Sequence, residues 1–191
     1  MKKSTGGGKG KFWMSRNILI LSTSPRRGGN TELLCEALGA GAREEGKQVT
    51  MLNVNDWKIL PCSGCDACQD NGGNCIQKDD MAMVLNAMDQ ADAVVFATPV
   101  YFYNMSGQMK VLLDRTFPRY RSMGFRKAAL IASCACGDER VFETTVEGFE
   151  DYLCCLPEVE NAGEILAAGI PCQGAAAEAK MEEARRLGRE I

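Results

Sequence analysis

The chain has 191 residues, 46% of them hydrophobic, which is enough for one compact domain with a real core and too short for two. A net charge of −3 with no long basic run argues against a nucleic-acid or acidic-membrane surface. The sequence contains no histidine, so His-based triads, His-ligated zinc and imidazole proton shuttles are excluded, and proton transfer falls to carboxylates, Tyr, Cys, Lys, water or a cofactor.

The opening MKKSTGGGKGKFWMSRN is rich in Gly and Lys and lacks the apolar centre of a secretory signal. Residues 1–16 are therefore expected to be a disordered or tag-like leader, and residues 17–191 a single domain in a cytoplasmic protein. In that setting ten cysteines point to metal binding or redox work rather than to a disulfide framework.

NILILS, residues 17–22, is a short apolar run that reads as a buried strand. In the helix that follows, Leu33, Leu34, Ala37, Leu38 and Ala42 recur at helical spacing and the pattern closes on Gly46. Residues 47–54 form a second strand. The segment PCSGCDACQDNGGNCIQKDDM, 61–81, is a loop rich in Gly, Asn and Asp, and its closing Asp79 and Asp80 read as a helix cap. Met81, Val84, Leu85 and Met88 mark the next helix. A third strand covers 91–100, and Met105, Met109, Leu112 and Leu113 a third helix; the adjacent Asp114 and Arg115 suit a salt bridge or a subunit contact. A strand at 127–133, a helix with Phe142, Val146, Phe149 and Leu153, a weaker strand at 158–167 and a charged helix at 174–190 complete the chain. Strands apolar on both faces and separated by helices predict an α/β fold: a three-layer, doubly wound, five-stranded parallel sheet.

In such a sheet the ligand lies at the carboxyl ends of the strands. The first loop there, STSPRRGGNT, opens a helix. Ser22, Ser24, Arg26, Asn30 and Thr31 are suited to an anion, although an ordinary polar loop has the same composition. It lacks the GxxxxGK[ST] and GxGxxG signatures. The second loop places Tyr101, Phe102 and Tyr103 at the top of a buried strand, either as a stacking platform for a flat ring or as a core or interface cluster. The third, SCACGDE, can present backbone N–H groups. Together they suggest a phosphorylated planar cofactor.

STSPRRGGNTELL, the 61–81 cysteine block and ATPVYFYNMSGQMKVLLDR resemble, in order, the flavodoxin-like NAD(P)H-dependent FMN reductases, in the branch that includes the iron–sulfur flavoproteins. The resemblance covers roughly 17–137. It implies that Ser22, Ser24, Arg26, Asn30 and Thr31 hold the FMN phosphate. Pro99, Val100, Tyr101, Phe102, Tyr103 and Asn104 would line the ring, and Ser133, Cys134 and Gly137 would approach its other side. No side chain is assigned as catalytic, because flavin N5 accepts the hydride from NAD(P)H. It also implies a flavin, quinone or similar acceptor, small molecule or redox protein, and a homodimer or homotetramer.

Cys62, Cys65, Cys68 and Cys75 are spaced x2, x2, x6, and four thiolates at these intervals suit a [4Fe–4S] cluster. A four-thiolate zinc site, a Cys62–Cys65 or Cys65–Cys68 redox pair, and an empty thiol loop remain alternatives. Cys35 reads as packing, Cys134 and Cys136 as reactive candidates, Cys154 and Cys155 as poor ligands, and Cys172 has no assigned role. Two further functions stay open: an electron carrier that does not react with NAD(P)H, and a non-enzymatic sensor.

Overall fold

The computed structural model describes residues 15–170 and 177–191. The expected leader, apart from Ser15 and Arg16, lies outside the described residues, as does Cys172.

Strand β1 (Asn17–Ser22) is followed by α1 (Asn30–Glu44), β2 (Gln48–Asn53), the one-turn helix α2 (Ala67–Asp70) and α3 (Met81–Gln90). Then come β3 (Ala93–Tyr101), β4 (Asn104–Met105), α4 (Gly107–Arg115), β5 (Lys127–Ser133), α5 (Glu143–Cys154), β6 (Glu160–Ala167) and α6 (Glu178–Glu190). The sheet order is β2-β1-β3-β5-β6, with every pair on this path parallel. This is the flavodoxin-like winding. The five expected parallel strands are present; a sixth, β4, is a two-residue antiparallel return on the end of β3. The cysteine segment, expected to be all loop, contains the single turn α2.

Alternation along the strands assigns the two faces. Leu19, Leu21, Val94 and Phe96 point to one side, where Val84, Leu85 and Met88 of α3, Met109 and Leu112 of α4 and Phe149 and Leu153 of α5 cover them. Ile18, Ile20, Val95 and Ala97 point to the other, beneath Leu34, Leu38 and Ala42 of α1 and Ala184 and Leu187 of α6. Burial on both faces explains why the central strands carry almost no polar side chain.

Helices α1 and α6 touch backbone to backbone. A Cβ at Gly41 would overlap the Arg185 carbonyl, and one at Gly188 the Leu38 carbonyl. Lys47, 9% exposed, seals this pair. Its ammonium donates to the carbonyls of Gly188, Arg189 and Ile191 at 3.2, 2.9 and 2.9 Å, taking up carbonyls that the end of α6 leaves unpaired.

The connection from β1 runs outward to β2, and the chain then crosses back to place β3 on the other side of β1. The loops after β1 and β3 therefore diverge, and a cleft opens at the carboxyl edge between them.

Candidate functional site

The cleft encloses about 650 Å³ including its open mouth, within the size range of small-molecule sites. Ser24, Arg26, Gly29, Asn30 and Thr31 form one wall, Pro99, Val100 and Tyr101 a second, and Ser133, Cys134, Ala135 and Ile170 a third.

The first wall is the β1–α1 turn. Gly29 is the N-cap of α1 and supplies no side-chain acceptor, so no cap competes for the helix's leading N–H groups. The neighbouring charges are sorted. Arg27 is drawn away from the cleft to Asp56 and Glu32, and Glu32 also accepts from the Gly28 amide at 2.5 Å. Arg26 makes no ion pair among the described residues and lines the cleft with its charge available. Across the cleft floor the Thr31 and Ser133 hydroxyls meet at 2.8 Å, joining the first wall to the third.

The second wall ends in a two-residue hairpin. Tyr101 pairs with Asn104, so Phe102 and Tyr103 occupy the turn with φ of 50° and 64°. Primed two-residue turns need positive φ at both central positions and favour Asn-Gly. Two aromatics there are strained by about 1–3 kcal/mol each. Phe102 is 101% exposed and Tyr103 60%, so burial does not explain the strain. The hairpin is anchored by the Thr144 hydroxyl, which donates to the Tyr103 carbonyl.

Beneath the cleft lies a hydroxyl cluster that sequence reasoning missed. Thr23 Oγ1 donates to the Ala97 carbonyl at 3.0 Å and contacts Ser106 Oγ at 3.1 Å. Thr98 Oγ1 reaches the same Ser106 oxygen at 3.2 Å, and Ser106 Oγ accepts from Met109 N as the cap of α4. These bonds fasten the ends of β1 and β3 to the start of α4. The Ser-before-helix pattern at Ser106 was readable as a cap; its two threonine partners were not.

Nine of the fourteen residues expected at the cofactor line the cleft. Ser22 is fully buried outside the lining, its hydroxyl without a partner among the described residues. Phe102 and Tyr103 project into solvent from the hairpin beyond Tyr101, Asn104 lines a separate cavity with Met105, Thr144 and Tyr152, and Gly137 lies beyond Ala135 in the third loop. That loop is clasped to the end of β6: Cys134 N donates to the Ala167 carbonyl, Gly169 N to Cys136 and Ile170 N to Cys134. The clasp carries Ile170 into the wall, a contact that no local pattern announced.

The second candidate centre is the cysteine loop. Cys62, Cys65, Cys68 and Cys75 all line one cavity of about 370 Å³, together with Arg115, Phe117 and Pro118. Among the described residues no three His, Cys, Asp or Glu side chains stand as a formed metal site. The Ala67 amide and the Ser63 hydroxyl hold the Cys65 thiol below its ordinary pKa, which favours thiolate. Cys35, by contrast, is buried in the core and its thiol is pushed far up by desolvation, as its reading as packing requires. Asp79 and Asp80 divide their work. Asp80 holds the N-cap position of α3 but its side chain makes no cap hydrogen bond, accepting instead from Lys58 N at 2.7 Å, while Asp79 Oδ1, one residue earlier, accepts from Met81 N at 3.2 Å. Asp114 pairs with Lys110, and Arg115 with Asp79.

A family model described as NADPH-dependent FMN reductase matches residues 16–148. An iron–sulfur flavoprotein of Archaeoglobus fulgidus is 39% identical over 99 residues, 52% of this chain and 48% of its own length. An iron–sulfur flavoprotein of Methanosarcina thermophila is 31% identical over 138 residues, 71% of this chain and 72% of its own. The chain thus spans about half the length of several curated relatives it matches. Among solved structures, an NAD(P)H:quinone oxidoreductase from Methanothermobacter marburgensis superposes with a TM-score of 0.73 at 18% identity, covering 92% of this chain and 96% of the other. That likeness shows the fold.

Proposed function

Because this chain belongs to the NADPH-dependent FMN reductase family, we propose that its carboxyl-edge cleft binds FMN and that the protein transfers reducing equivalents from NAD(P)H to a flavin, quinone or similar acceptor. The donor set fits the cofactor. A helix N-terminus without a side-chain cap, Arg26, which makes no ion pair among the described residues, and the Ser24, Asn30 and Thr31 side chains suit a phosphate, and the strip from Pro99 to Tyr101 suits a flat ring. Bound FMN supplies a two-electron acceptor at N5. The protein's own groups do the rest. Arg26 and the α1 amides neutralise and orient the anionic end. Tyr101 and the rim aromatics cover the ring. The Thr31–Ser133 contact keeps the two walls at a constant spacing, and Ile170 excludes water from the far side.

The observation that carries this reading is the convergence of a helix N-terminus without a side-chain cap and the Arg26 guanidinium in the same cleft as Pro99, Val100 and Tyr101. Its test is FMN titration of Arg26→Ala and Asn30→Ala. Loss of a charge-assisted hydrogen bond is worth about 1.5–3 kcal/mol, or roughly a 10- to 100-fold weaker Kd for Arg26→Ala. Unchanged affinity in both variants would remove the cleft from consideration.

A [4Fe–4S] cluster on Cys62, Cys65, Cys68 and Cys75 belongs to the same proposal. The four thiols share one cavity, their donor set is soft, and curated relatives carry the name iron–sulfur flavoprotein. A cluster exchanges single electrons. This favours a second reading, an electron carrier that does not turn over NAD(P)H. NADH and NADPH oxidation with an artificial quinone separates the two, and no turnover with either nucleotide selects the carrier. The same proposal places the protein in the cytoplasm as a homodimer or homotetramer, which sedimentation of the flavin-loaded protein tests; no helix among the described residues is long and apolar enough to cross a membrane.

A further inference from the structure

The largest fully buried side chain among the described residues is an arginine, Arg115, at the end of α4. Its partner Asp79 is as deeply buried, with side-chain exposures of 2% and 1%. Enclosing an ion pair costs several kcal/mol per ion, and apolar residues of equal volume commonly stabilise as well or better. Simple stability is therefore a poor account of why a helix of this core should end in a guanidinium.

The geometry is specific. Arg115 grips Asp79 as a fork, Nη1 to Oδ2 at 2.6 Å and Nη2 to Oδ1 at 2.9 Å. The pair then takes both backbone groups of Leu60: Nη1 donates to the Leu60 carbonyl at 2.5 Å, and Asp79 Oδ2 accepts from the Leu60 amide at 2.9 Å. Leu60 precedes the first cysteine of the loop and Asp79 follows the last. One ion pair thus closes the loop at its two ends and ties the closure to α4. Arg115 also forms part of the cavity wall, and its Nη2 reaches Cys75 Sγ at 3.7 Å. A pair that served only the fold would have no need to present its cation to the Cys75 thiol.

We propose that Arg115, held by Asp79, is the positioning residue of the four-cysteine centre: it shuts the loop 60–79 into one conformation and sets a fixed positive charge against the thiolates. This rests on the reading of the loop as a metal centre given above. For a thiolate-bound cluster, a neighbouring cation stabilises the more reduced, more negative state. Removing it makes the cluster harder to reduce. The same helix is capped by Ser106, fastened beneath the candidate flavin cleft, so α4 joins the two candidate centres as a single rigid element.

The test compares the full-length parent with Arg115→Lys, which keeps the charge and loses the fork, Arg115→Met, which loses both, and Asp79→Asn. After anaerobic reconstitution with iron and sulfide, each is assayed for bound iron, acid-labile sulfide and FMN, and its cluster potential is titrated. The expected result is a more negative potential in Arg115→Met, partial restoration by Arg115→Lys, and unchanged FMN content in both. Equal iron content and equal potential in the parent and Arg115→Met overturn the proposal. Hydrogen–deuterium exchange on the iron-free proteins decides the latch without a cluster. At least tenfold faster exchange across 60–79 in Arg115→Lys and Asp79→Asn, with 17–53 unchanged, supports it; unaltered exchange across 60–79 overturns it. If Arg115→Met does not fold, Arg115→Lys and Asp79→Asn carry both measurements. A parent that binds no iron or sulfide removes the metal reading of the loop, and exchange in the iron-free protein then decides the latch alone.

Discussion

Replacing Phe102-Tyr103 by Asn-Gly should make the flavin-free protein more stable and the flavin site worse. Both residues sit at positive φ, 50° and 64°. At the lower end of the range for such non-glycine positions, relief is worth about 1 kcal/mol each. Glycine enlarges the unfolded ensemble and gives back about 0.4–1 kcal/mol. Burial barely enters, because Phe102 is 101% exposed and Tyr103 60%. The net gain is about 1 kcal/mol, or roughly 2–4 °C in Tm for a domain of this size. Thermal unfolding of the FMN-free protein followed by circular dichroism measures it. FMN titration of the same variant should show weaker binding, since the aromatic rim has gone. A Tm that is unchanged or lower in the flavin-free variant would refute the strain argument. Binding that is unchanged would refute the claim that the strain is retained for the ligand.

Three other outcomes follow from the packing. The Arg115 guanidinium, bonded to Asp79, holds that carboxyl at about 2, below its ordinary 3.8. A depressed folded pKa stabilises above the unfolded value and is lost as pH falls through the folded one. About 2 kcal/mol should therefore disappear between roughly pH 4 and 2, and urea midpoints over that range should lose this component in Asp79→Asn. Gly188→Ala improves helix propensity by about 1 kcal/mol, but its Cβ would overlap the Leu38 carbonyl. A net loss of about 1–3 kcal/mol in chemical denaturation is expected. Lys47→Met strips the Gly188 and Arg189 carbonyls of α6, and the backbone oxygen of Ile191 just past it, of their donor. It should lower stability by about 1–3 kcal/mol and raise hydrogen exchange in α6 before other helices.

Much of the site was legible because its signals are local. The apolar run at 17–22, the Gly-rich turn after it and the aromatic triplet at 101–103 each announce themselves within a dozen residues. A parallel sheet necessarily brings the ends of its strands to one edge. The β3–β4 hairpin escaped notice because Phe-Tyr is the wrong chemistry for a primed turn. A strained position at a candidate ligand site is where propensity reasoning is expected to fail. Likewise Arg115 and Asp114 were readable as a charged pair of neighbours, yet they face different partners.

Sequence alone determined the order and approximate bounds of the five parallel strands, the layered α/β class, the candidate anion turn and the four-thiol spacing, since periodicity and turn chemistry act between near neighbours. Tertiary structure decided the rest. It brought Ile170 into the cleft, joined Thr23, Thr98 and Ser106 beneath it, and closed the cysteine loop on an arginine 55 positions from Leu60. Those contacts depend on which helix lies over which strand, and no short stretch of chain encodes that distance.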